Sequence, residues 1–244
     1  MYLIKFENVS KNFINEKSET KVLKNINFQI NDNEIVTLLG PSGCGKSTIL
    51  NLISELTSPS SGNIKKTDKI GYMFQKDCLF SWRNIYQNLL LGLEIKKDKS
   101  QEAIDQVNQL MKKYHIEEFK NYYPSELSGG LRQRVALIRT LVLNPKLLLL
   151  DEPFSKLDFQ TRLIVQEDIL KIIKKEKISA LLVTHDIEEA ISLSNRIIIL
   201  SNRPTTIKKE IKIDFDDNLS LIEKRKSRQF QIYFNDIYQI LNCD

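Results

Sequence analysis

Gly40-Pro41-Ser42-Gly43-Cys44-Gly45-Lys46-Ser47-Thr48 lies between an apolar run, Ile35–Leu39, and a segment of helical spacing, residues 46–56. A buried strand, a glycine-rich loop and a helix in that order decide the fold class. Successive backbone N–H groups converge on a phosphate chain only where side chains do not obstruct them, hence the glycines. The helix opening after Gly45 adds its positive dipole end. Lys46 supplies a point charge for β- and γ-phosphates, and Ser47 a hydroxyl for Mg²⁺. An incidental glycine-rich turn would not require this strand–loop–helix setting.

Around this loop, residues 2–9 and 22–30 read as strands, as do 70–75, 147–150, 180–184 and Arg196–Leu200. Residues 161–177 and Ile187–Leu193 read as helices alternating with them. Strands that lack polar alternation and alternate with helices predict a parallel sheet covered on both faces. Between residues 77 and 144 the character changes, with helical spacing over 85–93, 101–114 and 131–143. This predicts a helical subdomain inserted into the sheet domain. Near the end, Leu219, Ile222, Phe230, Tyr233, Phe234, Ile237 and Leu241 fall near one helical face over 218–241, read as packing against the sheet, with a regulatory or dimer contact as the alternative.

Composition narrows the function classes. Of 244 residues, 41% are hydrophobic and 27% charged, which excludes wholesale disorder. The 36 Lys+Arg against 31 Asp+Glu leave only +5, without the clustered basic arm that tracks nucleic acid, so no nucleic-acid partner is expected. Cys44, Cys78 and Cys243 are too few and scattered for a disulfide framework or a zinc site, which suits a reducing compartment. Residues 1–8 do not resemble a signal peptide, and no run approaches the ~20 apolar residues of a membrane span. The expectation is a cytosolic or peripheral protein.

Further candidates stand where predicted strands stop. Asp151 and Glu152 end the 146–150 run, at the edge where open parallel sheets bind ligands. They read as a magnesium ligand and a general base for water, or as a loop cap. His185 follows the 180–184 strand, within reach of a γ-phosphate; His115 is assigned no role. The amide of Gln75 faces Mg²⁺ or the water from a third strand end. Ser128-Gly129-Gly130, heading an amphipathic helix, is either a capped helix start or a second phosphate-binding element, the latter implying a nucleotide shared between subunits.

Taken together, the motifs resemble those of ATP-binding-cassette (ABC) ATPases, the nucleotide-binding subunits of ABC transporters. GPSGCGKST is similar to the family's Walker A loop, LLLLDEP to Walker B and LSGGLRQR to the signature motif. Gln75 matches the Q-loop glutamine, Ser155–Asp158 the D-loop, and His185 the switch histidine. The resemblance spans about residues 1–203. It implies a single α/β P-loop NTPase domain over 1–244, with a mixed sheet core, an N-terminal antiparallel β-subdomain and the inserted helical subdomain at 77–144. It implies ATP and Mg²⁺ as ligands, with Glu152, His185 and Gln75 catalytic and with Ser47, Gln75 and Asp151 around the metal. Gly40 to Thr48 (Pro41, Ser42, Gly43, Cys44, Gly45, Lys46 and Ser47 between them) would hold the phosphates, and Phe13 would stack on adenine where the family more often has tyrosine.

The same resemblance implies a head-to-tail homodimer in which Ser128, Gly129 and Gly130 bind ATP in trans. Lys156 stands where alanine is usual, near that dimer seam, and LSGGL replaces the commoner LSGGQ. The Trp82 region, with the GLE ending at 92–94 and Ser81 in place of proline, resembles importers of nitrate, sulfonate, taurine and related small solutes. Permease subunits would dock near Gln75–Trp82 at the cytoplasmic membrane face, with an extracytoplasmic solute-binding protein acting indirectly. The alternative is a soluble cassette ATPase of an assembly pathway, such as iron–sulfur cluster assembly, against which the Trp82 region and RPTTI speak.

Overall fold

A computed structural model describes residues 2–15, 18–216 and 218–242. Cys243, named above, and the first residue of the 1–8 segment lie outside the described residues. The chain opens with two long strands, β1 (Tyr2–Asn15) and β2 (Ser18–Asn31), and continues through β3 (Ile35–Leu39) into α1 (Lys46–Ile53). Two further strands follow, β4 (Ser61–Lys66) and β5 (Ile70–Met73). Helices α2 (Ile85–Lys96), α3 (Gln101–Lys113) and α4 (Gly129–Leu141) separate β5 from β6 (Leu147–Asp151). Then come α5 (Phe159–Glu176), β7 (Ser179–Thr184), α6 (Ile187–Leu193), β8 (Arg196–Leu200) and β9 (Ile207–Lys212). The described chain ends in α7 (Leu221–Lys226) and α8 (Arg228–Asn242).

Two sheets form. The smaller is antiparallel in the order β2-β1-β4; the larger runs β5-β6-β7-β3-β8-β9. Its first five strands are mutually parallel and β9 returns antiparallel to β8, which makes the sheet mixed. Strand alternation sorts the apolar residues into layers. Val36, Leu38, Leu149, Val183 and Ile198 pack with α1 and the antiparallel sheet, while Leu148, Leu150 and Leu182 turn to α4 and α5. Leu39, Ile197 and Ile199 meet α6 and α8. The central strands are therefore covered on both faces, which is why they read as unbroken apolar runs.

Several boundaries differ from the sequence reading. Helix α1 stops at Ile53, three residues short of the expected end, and Glu55 then takes a left-handed φ of 60°. β4 and β9, which the sequence reading left without strand structure, are edge strands of mixed polarity, SGNIKK and IKKEIK. Edge strands pack on one side only and carry lysines that discourage further pairing, so the periodicity signal is weak. β1 and β2 extend past their expected ends because register shifts at 6–12 slip the alternation that sequence reading follows. The predicted C-terminal stripe is broken at Ser227, so α7 and α8 have independent phases. Phe230 and Ile237 are buried as expected, but Ile222 is exposed and Leu221 takes the inward place.

Candidate active site

β3 delivers the glycine-rich loop at its C-terminal edge, and α1 begins at Lys46. Gly43 and Gly45 hold φ of 77° and 120°, a region that L side chains rarely adopt. A Cβ on Gly45 would stand 2.9 Å from Val22 Cγ1 and 3.0 Å from Leu23 Cδ2, so the β2 ribbon presses directly on the loop. Gly45→Ala should therefore cost about 1–3 kcal/mol of stability, read by urea unfolding, and weaken nucleotide binding with it. Unchanged unfolding would mean that the loop relaxes freely.

The first amides of α1 have no acceptor within the helix, and the cap residue Gly45 offers no side chain. Buried Lys46 folds back, its Nζ donating to Gly40 O at 2.8 Å and to Pro41 O at 2.9 Å. Burial pushes the Cys44 thiol up, which keeps it protonated and poorly reactive. Thr205, fully buried, donates its hydroxyl to Cys44 O, while its backbone N–H donates to Val22 O at 2.9 Å. The turn after β8 thereby holds loop and ribbon together. In the sequence Thr205 stood only inside the RPTTI stretch of the importer resemblance, with no role of its own assigned.

Beside this loop, β6 ends in Asp151 and Glu152. Ser47 Oγ donates to Asp151 Oδ1 at 3.3 Å, and Tyr72 OH donates to Oδ2 at 3.3 Å. Burial pushes the Asp151 carboxyl up, with these two donors opposing the shift. Tyr72, whose own phenol is pushed up by burial and then by Asp151, was also missed; only the β5–β6 pairing brings it alongside.

Glu152 carries a left-handed φ of 44°, and its N–H donates to Val183 O at 3.0 Å. That is a costly conformation for a residue with a Cβ, of a kind concentrated at functional sites. It brings the carboxylate to His185 Nδ1 at 3.2 Å through Oε1, and to Gln75 Nε2 at 3.4 Å through Oε2. The Gln75 amide also reaches Ser155 Oγ at 3.4 Å. Three strand ends, of β5, β6 and β7, thus bring Gln75, Glu152 and His185 together.

The other candidates stand apart. Ser128 caps α4 by accepting from Leu131 N at 3.3 Å, and Gly129 and Gly130 lie against Leu157, Thr161 and Val165 rather than the phosphate loop. Any Cβ on Gly130 would meet Val165 Cγ2 at 2.9 Å. Phe13 sits on the ribbon opposite Thr20, two residues along from the Val22 that touches Gly45. Its ring is exposed, with Lys11 Nζ 4.9 Å from the centroid.

The donors present suit Mg²⁺ in one respect. Among the described residues no cluster of three or more His, Cys, Asp or Glu forms a closed metal cage. Mg²⁺ bound with a nucleotide keeps waters and phosphate oxygens and needs only one or two protein oxygens. The adjacent Ser47 hydroxyl and Asp151 carboxylate are hard donors of that kind.

A parallel sheet whose strand ends set a phosphate loop beside an acid pair defines a P-loop nucleoside triphosphatase. Residues 23–155 match the family model described as ABC transporter. The chain is 41% identical to the aliphatic sulfonates import ATP-binding protein SsuB of Bacillus anthracis, over 93% of this chain and 91% of that protein. It is 38% identical to the nitrate import ATP-binding protein NrtD of Synechocystis, over 90% and 85%. Other relatives of comparable identity are ABC transporter ATP-binding proteins that are themselves uncharacterized. A dimeric post-hydrolysis structure of the ATP-binding cassette MJ0796, bound to ADP and Pi, superposes with TM-score 0.73 at 31% identity, over 87% of this chain and all of that one. The chain belongs to the ABC transporter family: it is an ATP-binding subunit and an ATPase.

Proposed function

We propose that the chain powers import of a small organic or oxyanion solute of the sulfonate–nitrate kind, hydrolysing ATP at the edge formed by β3, β5, β6 and β7. The observation that carries the hydrolytic half is the Glu152 carboxylate held between His185 and Gln75 on a strained backbone. Lys46 and the first-turn amides of α1 bind the β- and γ-phosphates, with Gly40 to Thr48 shaping the cradle. Phe13 stacks on adenine. Ser47 and Asp151, with Gln75, would hold Mg²⁺, which would supply positive charge to offset that developing on the phosphates. Gln75 orients the attacking water and Glu152 accepts its proton as the γ-phosphoryl group leaves ADP. His185 steadies Glu152 and reaches the departing phosphate. Ser128, Gly129 and Gly130, turned away from the loop of their own chain, close over ATP bound by a second copy. The dimeric state of MJ0796 supports that arrangement.

The transport half rests on the segment after Gln75. Trp82 is 71% exposed and stacks on Phe80 with ring centroids 4.8 Å apart. Fully buried Asn88 holds this loop from beneath: it accepts from Phe80 N at 2.8 Å, and the carbonyls of Phe80, Arg83 and Asn84, all in reach of its Nδ2, share its two amide hydrogens. Arg139 holds the preceding stretch through the carbonyls of Asp77 and Cys78. A rigidly mounted, exposed indole suits a protein contact, since aromatics anchor interfaces. It is read here as the docking point for a membrane permease, on the helical insert at 77–144 and at the cytoplasmic membrane face. A solute-binding protein outside the membrane would deliver the cargo. No helix among the described residues is long and apolar enough to cross a membrane.

The test is affinity capture of the tagged chain from gently solubilised native membranes, beside Trp82→Ala. A multi-spanning permease and a solute-binding protein should co-purify with the wild type and fall away with the variant. Recovery with soluble assembly proteins alone would overturn the import reading and leave the ATPase intact.

A further inference from the structure

The helices α7 and α8 lie beyond the residues that carry the nucleotide motifs, yet α7 is hydrogen-bonded toward one of them. Leu221 is 1% exposed in the main core, and its N–H donates to Glu167 Oε2 at 3.1 Å, so α7 is seated on α5. From α7 the Arg225 guanidinium spends all three nitrogens. Nε donates to Ser192 Oγ at 3.1 Å, one terminal nitrogen to Glu188 Oε2 at 3.1 Å, and the other to Gln166 Oε1 at 3.3 Å. Fully buried Gln166 then donates from Nε2 to Glu189 Oε1 at 3.0 Å. The second oxygen of Glu189 accepts from Thr184 Oγ1 at 2.7 Å. Thr184 Oγ1 in turn accepts from Asp186 N at 3.0 Å, and Asp186 Oδ1 caps α6 through Glu189 N at 3.1 Å.

Thr184 and Asp186 flank His185. The geometry points to Arg225 as a positioning residue that sets the His185 imidazole against Glu152 through Gln166, Glu189 and Thr184. A guanidinium has only donors and a carboxylate only acceptors, so Gln166 must present its carbonyl oxygen to Arg225 and its NH₂ to Glu189. The Thr184 hydroxyl then donates to the second Glu189 oxygen and keeps its lone pairs for Asp186 N. Arg225 and Glu189 therefore hold the Gln166 amide from its two ends. Without Arg225, the fully buried Gln166 oxygen loses this donor, and the chain of bonds loses one of the contacts that fix its arrangement. His185 feels this because its side chain is 53% exposed and little held by packing. Its aim comes from the backbone turn that the relay fixes.

This inference rests on the reading of Glu152 and His185 as a hydrolytic pair, and its test keeps the two apart. In the full chain, Arg225→Met keeps the length of the stem and removes the donors. Turnover should fall about tenfold or more, as expected when a catalytic group is displaced by a fraction of an ångström, while KM for ATP stays unchanged. The sequence has only two histidines, so ¹⁵N-imidazole NMR reads the site directly. His185 signals should shift in the variant while those of His115 stay in place. Ile222→Ala, an exposed position on the same helix, should move neither signal nor turnover. An unmoved His185 signal in Arg225→Met would overturn the relay, as would a change in which KM and His115 move as well. Should that variant fail to fold, Gln166→Leu cuts the relay from α5 and the same readouts decide. The imidazole shift does not depend on hydrolysis, so it still reports on the relay if Glu152→Gln leaves turnover intact and the hydrolytic reading itself falls.

Discussion

Glu152→Gln should lower ATP turnover by about a hundred- to ten-thousandfold, the usual contribution of a positioned general base, while ATP still binds. The substitution keeps the shape of the side chain and both of its neighbours, His185 Nδ1 at 3.2 Å and Gln75 Nε2 at 3.4 Å. It removes only the ability to take a proton from water. With hydrolysis blocked, the closed two-chain state has no exit, so light scattering in saturating ATP and Mg²⁺ should report twice the mass of the nucleotide-free chain. A variant that turns over ATP at the wild-type rate would remove Glu152 from the chemistry. One that loses turnover but stays a monomer would overturn the shared site at Ser128–Gly130 for the chain alone.

Lys46→Ala should abolish measurable ATP binding. In the free loop the ammonium is buried and satisfied by Gly40 O and Pro41 O. In the function proposed above, nucleotide binding would exchange those carbonyls for phosphate oxygens. A hydrogen bond to a charged group contributes about 1.5–3 kcal/mol, so two of them amount to roughly 3–6 kcal/mol, or about a hundred- to ten-thousandfold in affinity. Calorimetric titration measures that directly. Thermal unfolding should fall more modestly, because alanine leaves two loop carbonyls without their donor. An affinity within a few-fold of wild type, in a folded variant, would place the phosphates elsewhere.

Much of the candidate site could be picked out in the sequence because its parts are local. Several candidates stand at the end of an apolar strand, where the residue type and the strand end are visible together: Gly40–Thr48 after β3, Gln75 after β5, Asp151 and Glu152 after β6, His185 after β7, whereas Phe13 lies within β1 and Ser128–Gly130 head α4. Central strands buried on both faces announce themselves as apolar runs. The residues that hold the site were hidden for the complementary reason. Tyr72, Thr205, Gln166 and Arg225 lie 79, 161, 23 and 59 residues from their respective hydrogen-bond partners Asp151, Cys44, Glu189 and Gln166. A hydrogen bond across such a separation leaves no period in the chain. Edge strands β4 and β9 were missed because half of each faces solvent and reads as loop.

The sequence by itself determined the phosphate loop, the order of the central strands and helices along the chain, and the acids and amide that stand at their ends. These follow from local rules: glycine where amides must converge, apolar runs where both faces are covered, helical spacing where one face is. Only the tertiary structure decided which strand ends meet, that Glu152 adopts a left-handed turn between His185 and Gln75, that Gly129 and Gly130 pack against Leu157, Thr161 and Val165, and that hydrogen bonds link α7 to Thr184 and Asp186 on either side of His185. Those outcomes depend on sheet order and on desolvated polar groups finding partners, and both arise only when segments distant in the chain pack together.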